Sequence, residues 1–193
     1  SRFSTRNNKE FRKEVRMHGG KQLYESDINP IFRCFEENYK DAAGPELQTA
    51  FFDIEVDFDK VRGFSPTHDP FNPITAVSVY LNWLDQLITL AVPPKSLSME
   101  TAKELVAEFD NTFLFDNEAD MLKMFLDLIE DADVLSGWNS EGYDIPYTVN
   151  RITRILSKDD TRKFCLWGQF PKPRKFERFG AEQQTYDLIG RVH

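Results

Sequence analysis

The chain has 193 residues, 40% of them hydrophobic, and a net charge of −8, which suits one substantial α/β core with a small appendage. No run approaches the roughly 18 consecutive apolar residues that span a bilayer, and the basic N-terminus lacks the apolar stretch of a signal peptide. A soluble, cytoplasmic protein without a membrane partner is therefore expected, and an acidic surface of this strength excludes one that coats duplex nucleic acid all over, since such proteins carry many Lys and Arg for the phosphates.

In chain order, residues 1–21 come first, with seven basic residues (Arg2, Arg6, Lys9, Arg12, Lys13, Arg16, Lys21) against Glu10 and Glu14. This irregular opening reads either as a basic arm touching DNA or as a solvated terminus. Leu47 to Val56 alternates like a strand, and Ile74 to Tyr80 and Gln86 to Val92 add two runs rich in Val, Ile, Thr and Leu, so an antiparallel meander is predicted. Ser98 then caps a helix running through Leu105 and Val106. A short strand follows at Thr112 to Phe115. Asp116 or Asn117 caps a periodic helix with Met121, Leu122, Phe125, Leu128 and Ile129 on one face and Glu118 and Asp120 in its first turn. Ala132 to Gly137 is the next strand, and Pro146 suits the first turn of a helix whose stripe is Val149, Ile152 and Leu156. Near the C-terminus, extended runs on either side of Gly180 predict a β-hairpin. Three strands followed by alternating helix and strand is the order of an RNase H-like α/β fold, a mixed sheet flanked by helices. Cys34 and Cys165 stand outside any CxxC or Cys/His cluster and are expected to be packing residues rather than a disulfide or zinc ligands.

The chemistry lies in two places. In Phe51-Phe52-Asp53-Ile54-Glu55-Val56, strand alternation sends Phe52, Ile54 and Val56 to the core and Asp53 and Glu55 to the other face. Uncompensated carboxylates on an apolar strand are costly, and a divalent cation would satisfy them, although the pattern alone also fits a solvent-facing edge. The second place is Asp133 to Tyr147, where a strand ends at Gly137-Trp138-Asn139 and turns through Tyr143-Asp144-Ile145-Pro146 into a helix. That puts Asp144 at a strand's C-terminal edge, where open α/β sheets gather ligands. Turn-making and helix capping are the plain roles for Asn139 and Asp144.

Phe52-Asp53-Ile54-Glu55 resembles the first exonuclease motif of family B DNA polymerases, and Gly137-Trp138-Asn139 through Tyr143-Asp144-Ile145-Pro146-Tyr147 resembles the second. The details are most similar to polymerases of T-even-type bacteriophages, and Gly20 to Ile28 resembles the segment leading into that domain. The resemblance implies a DnaQ-like exonuclease fold over 47–193, lacking its C-terminal part, with 1–46 as a leader or part of an N-terminal domain, and host cytoplasm as the location if the source is viral. It further implies that Asp53, Glu55 and Asp144 are three of four carboxylates holding two Mg²⁺ or Mn²⁺ ions, about 3.5–4 Å apart. The reaction would be hydrolysis of the single-stranded 3′ end of primer DNA, one nucleoside monophosphate at a time. Asn139 and Tyr143 would position the terminal nucleotides, Tyr143 by stacking. The hairpin would separate primer from template, with Arg174, Lys175 and Arg178 meeting phosphate unless it is merely a solvated hairpin.

One departure accompanies the resemblance. The family's third motif places an Asp four residues after a Tyr, and neither Tyr143, followed by Tyr147, nor Tyr186, followed by Gly190, fits it. The fourth carboxylate is therefore expected from a further polymerase segment or subunit, in cis or in trans, and the isolated chain is expected to be incomplete. The rival from another class is a non-catalytic module that docks on polymerase subunits and guides single-stranded DNA; an RNA-trimming exonuclease is the enzymatic rival. His68 beside Asp69 reads as surface chemistry, and the 17 Phe as core.

Overall fold

Alternation along residues 49–56 organises the larger part of the molecule, and its consequences are visible in a computed structural model that describes residues 7–19, 30–178 and 180–192, with the side chains of residues 8, 30, 176, 178, 181 and 182 left aside. The chain divides into two compact units, Ser1–Glu46 and Leu47–His193.

The first unit contains two helices, α1 (Asn8–Met17) and α2 (Pro30–Tyr39), where the sequence reading expects an irregular opening. The reason for α1 is local. The Asn7 side chain accepts from the Glu10 N–H at 3.0 Å, and Glu10 in the first turn and Arg16 in the last complement the helix dipole. Phe11 and Val15, four residues apart, are the periodic signal for this helix that the sequence reading passes over. Arg2, Arg6, Lys21 and the Gly20 to Ile28 segment lie outside the described residues. On α2 the Cys34 thiol is exposed, so of the two cysteines expected to be packing residues only Cys165 is buried.

The second unit is built on a five-stranded sheet in the order β4-β3-β2-β1-β5. Its strands are β1 (Thr49–Val56), β2 (Ile74–Leu81), β3 (Gln86–Ala91), β4 (Thr112–Leu114) and β5 (Val134–Ser136). The β1–β2–β3 meander is antiparallel, whereas β5 and β4 join β1 and β3 in parallel, so the mixed, helix-flanked sheet matches the expected fold class. Helix α3 (Met99–Val106) is capped by Ser98, and α4 (Glu118–Leu128) by Asn117, whose side chain accepts from the Asp120 N–H. Of the two cap candidates Asp116 and Asn117, the chain uses the second. Helix α5 (Asp144–Ile155) follows β5, and a 3₁₀ turn spans Asp159–Phe164.

Phe52 and Ile54 from β1 meet Phe125 and Leu126 from α4, Ile145 and Ile152 from α5, and Phe164 in one core. The Phe52 and Phe125 rings lie 5.3 Å apart. Burial of each such side chain stabilises the fold by roughly 1.5–3 kcal/mol, which holds β1 against two helices at once. A buried ion pair then fixes the far ends: Glu118 accepts from Arg151 at 2.6 and 2.8 Å and from the Ile74 N–H at 2.8 Å. Arg151 also donates to the carbonyls of Pro70 and Phe71, so α4, α5, β2 and the loop after β1 share one fastening.

A separate hairpin pairs β6 (Lys172–Arg178) with β7 (Ala181–Asp187), and Gly180 supplies the positive φ of 76° that its tight turn requires. Among the described residues no helix is long and apolar enough to cross a membrane.

Candidate functional site

Parallel pairing of β1 with β5 stops at Phe51 opposite Ser136, and the next residue of β5's exit, Gly137, runs against the β1 backbone. A Cβ at Gly137 would sit 2.3 Å from the Phe52 carbonyl oxygen, so only glycine fits this approach. The chain then turns through Asn139, at a left-handed φ of 56°. The Asn139 carbonyl accepts from the N–H groups of Gly142 and Tyr143 at 2.9 and 3.1 Å, and the Ser140 carbonyl from Ile145 at 2.9 Å. Asn tolerates this backbone region better than most residues, so its turn-making role is present whatever else it does. Tyr143 precedes α5 without a side-chain cap, which puts Asp144 into the first helical turn.

The result is a cavity of about 640 Å³ lined by Asp53 and Ile54 from β1, Trp138, Asn139, Gly142, Tyr143 and Asp144 from the turn, and Gln183 from the hairpin. Asp53 and Asp144, distant in sequence, thus share one wall. Glu55 lies exposed two residues further along β1, beside a register shift at Glu55/Val56, and outside that lining. Among the described residues no group of three or more His, Cys, Asp or Glu gathers closely enough to hold a metal ion. Asp53 and Asp144 share this cavity, whereas Glu55, expected beside them, is not among its lining residues.

Asp144 is only 4% exposed, and its pKa is pushed up to about 6, first by burial and second by the neighbouring Asp53, despite backbone N–H donation from Asp144 itself and Ile54. A buried carboxylate held near another carboxylate is electrostatically short of a cation. Oxygen donors of this kind match a hard divalent ion such as Mg²⁺. Tyr143 stacks on Tyr147 with ring centroids 5.3 Å apart and planes at 29°; burial pushes its phenol pKa up. Tyr147 is itself anchored, donating to the Asn72 carbonyl at 2.7 Å and paired with the Ser65 hydroxyl.

The hairpin is tied to the turn. Thr185 donates to the Glu141 carbonyl at 2.6 Å, and Arg174 pairs with the Glu141 carboxylate and, at 3.0 Å, with Asp187. The Arg174 guanidinium, expected at phosphate, thus has two carboxylate partners within the protein. Lys175 lines a second cavity next to the first. The Arg178 side chain lies outside the described residues.

Sequence reasoning uses Trp138 only as context, yet it is 92% exposed at the mouth of the first cavity; a Trp directly after a strand-ending glycine is the available signal. Phe58 and Phe64, counted with the core, are instead exposed on the loop leaving β1, in edge contact at 4.9 Å. That loop is held by Asp59, which accepts from the N–H groups of Val61 and Arg62 at 2.7 and 2.8 Å. Gln183 carries no signal, because its place depends on hairpin register.

A family model described as DNA polymerase family B, exonuclease domain, matches residues 9–193. The chain is 33% identical over 78 residues to the DNA-directed DNA polymerase of Enterobacteria phage T4, covering 39% of this chain and 9% of that protein. It is 27% identical over 137 residues to the DNA-directed DNA polymerase of Escherichia phage RB69, covering 61% of this chain and 15% of that one. The matched regions are therefore a small fraction of either relative's length.

Proposed function

The chain belongs to the exonuclease domain family of family B DNA polymerases, and on that premise we propose that it is the 3′→5′ proofreading portion of such a polymerase, acting on the single-stranded 3′ end of primer DNA. The observation that supports this most is the meeting of Asp53, from the first motif, with Asp144, from the second, in one cavity whose mouth carries an exposed tryptophan.

In this reading Asp53, Glu55 and Asp144 hold Mg²⁺ or Mn²⁺, two ions in the complete site. Bound divalent ions supply charge neutralisation at the phosphate and a water nucleophile at neutral pH. The chain's own residues do the rest. Asp144, whose pKa in the metal-free protein is pushed up to about 6 by burial and by Asp53, would have to be ionised to serve as a ligand. Tyr143, braced by Tyr147, and Trp138 offer faces on which the terminal bases stack, a sequence-tolerant contact worth about 1–3 kcal/mol per base. Asn139 and Gln183 face the same space with amide donors and acceptors. The fourth carboxylate comes from a further polymerase segment, in cis or in trans, and the hairpin, with Lys175 and Arg178, meets the primer backbone.

A second reading, a non-catalytic module that guides DNA and docks on polymerase subunits, is favoured by one observation: among the described residues no group of three or more His, Cys, Asp or Glu could hold a metal ion. Release of nucleoside monophosphates from a 3′-labelled single-stranded oligonucleotide with Mn²⁺ separates the two. The chain, its Asp53→Ala/Glu55→Ala form, and the chain supplemented with a downstream polypeptide are compared. Turnover abolished by the double substitution supports the exonuclease. Silence of the supplemented chain, with DNA binding intact, supports the guiding module.

A further inference from the structure

Helix α1 sorts its charges by face. Lys9, Arg12, Lys13 and Arg16 stand at positions i, i+3, i+4 and i+7 of the helix, which places them within an arc of roughly 100°. All four are exposed, and with Asn7 and Glu10 they line a concavity of about 780 Å³. Glu10, Glu14 and Met17 fall on one flank of that arc, and Phe11 and Val15, both half-buried, fall on the other.

Cations three and four residues apart on a helix repel one another, their Cβ atoms about 5–6 Å apart. Lys9 and Arg16 each have Arg12 and Lys13 as such neighbours, so the stripe works against the helix that carries it, which the Asn7 cap holds. The carboxylates give no relief. Glu14 lies 3.8 Å from the His18 imidazole, and among the described residues none of the four cations has a carboxylate partner. In a chain of net charge −8, four unneutralised cations gathered on one helical face match a polyanionic ligand.

The shape of the row selects among polyanions. Seven residues of helix advance about 10 Å, and one strand of duplex DNA carries a phosphate about every 3.4 Å along the axis, so the stripe spans about four successive phosphates. Surfaces for single strands interleave cations with aromatic faces for stacking, and the basic arc holds no aromatic residue, Phe11 being on a flank. Asn7, the one amide among the described lining residues, is engaged as the helix cap, which leaves no amide to read a base edge. A lipid surface fits less well, because an interfacial helix buries one broad apolar face, and here Met17 and the Phe11–Val15 pair lie on opposite flanks.

We infer that the basic stripe of α1 is a docking surface for the backbone of duplex DNA, on which Lys9, Arg12, Lys13 and Arg16 meet successive phosphates of one strand without reading sequence. Of the two roles open to the basic opening of the chain, a solvated terminus or an arm that touches DNA, the helical sorting of charge selects the second. The carboxylate cavity takes no part in it, so duplex docking stands independently of the exonuclease reading.

The test is anisotropy of a fluorescein-labelled blunt duplex titrated with the full chain in EDTA over a series of KCl concentrations. Each neutralised phosphate adds about 0.9 to the steepness of log K against log salt. Lys9→Gln/Arg12→Gln/Lys13→Gln/Arg16→Gln is therefore expected to flatten the slope by about 3 to 4 and to weaken binding at low salt by more than about tenfold. Each single Gln substitution, by a good helix former on an exposed face, should remove about 0.9 of the slope, which tests the contacts without risk to the fold. Lys9→Arg/Lys13→Arg keeps the charge and should keep both slope and affinity. A single strand of the same sequence should lose little affinity in the fourfold variant, its grip resting on stacking elsewhere. Duplex docking is overturned by a slope that the substitutions leave unchanged, by an equal loss on the single strand, or by a stripe that binds phosphatidylserine vesicles and not the duplex. Nuclease turnover that fails while the duplex slopes behave as expected overturns the exonuclease reading alone.

Discussion

Replacing Asp144 by Asn should make the metal-free protein more stable at neutral pH, although it removes a residue placed at the centre of the site. The folded-state pKa of Asp144 is about 6 against an ordinary 3.8, and burial is the first cause. A raised carboxyl pKa means that the folded state holds this proton more tightly than the unfolded state does. The associated stabilisation is complete below about pH 3.8 and is lost as pH rises through about 6. Above that window the ionised carboxylate costs up to about 3 kcal/mol, reduced to about 1.5 kcal/mol where water enters the open cavity. The substituted amide keeps an oxygen to accept from the Ile54 N–H and carries no charge. At roughly 2–4 °C per kcal/mol for a chain of this size, Asp144→Asn should melt about 3–10 °C higher than wild type in EDTA at pH 7.5, with the difference shrinking at pH 4. Mn²⁺ should raise the wild-type melting temperature, as a ligand of the folded state does, and leave the variant unmoved. Differential scanning fluorimetry across pH with and without Mn²⁺ provides all four numbers. A variant no more stable than wild type at pH 7.5, or equally shifted at both pH values, would refute the electrostatic reasoning.

Three more outcomes are expected. Gly137→Ala drives a Cβ into the Phe52 carbonyl and should cost about 1–3 kcal/mol in urea denaturation, the range for overpacking; an unchanged midpoint would mean that β5 can move away from β1. Trp138→Ala removes a side chain exposed to solvent and should leave the urea midpoint unchanged while weakening single-stranded oligonucleotide binding by about 1–3 kcal/mol in anisotropy titrations. Asn139→Gly preserves the positive φ, so circular dichroism melts should match wild type within a degree or two; a lower oligonucleotide affinity in that variant would assign Asn139 a role beyond the turn, and equal affinity would leave it a turn residue.

Elements whose signals are local were legible before any coordinates. Ser98 and Asn117 cap helices because hydroxyl and amide oxygens reach N–H groups two or three residues ahead, and the alternation from Phe51 to Val56 is itself the statement of which side chains face solvent. Asp53 and Asp144 were legible as candidates for the same reason, since strand pleat and turn chemistry belong to short stretches. Helix α1 was legible in the same way and was passed over, since Phe11 and Val15, four residues apart, carry its period. Not legible was the place of Glu55 outside the lining of the cavity that Asp53 and Asp144 share, which no short stretch of sequence encodes. The engagement of Arg174 by Glu141 is likewise a matter of where the hairpin base lies against the turn, 33 residues away in sequence. Phe58 and Phe64 escape a sequence reading because a hydrophobic residue has no local mark that separates core from exposed loop.

The attachment of the hairpin at Glu141 has a thermodynamic corollary. Glu141 stands inside the turn between Asn139 and Asp144, and its carboxylate and its carbonyl are both occupied by hairpin residues. Local openings in folded proteins occur as cooperative units bounded by such shared bonds, so lifting the base of the hairpin and loosening the turn are one event with one free energy. Amides of Gly142 and Tyr143 should then exchange with solvent in step with those of β7. A ligand that binds the hairpin more tightly when its base is attached would raise the fraction of molecules in which the turn is closed, without touching a single carboxylate.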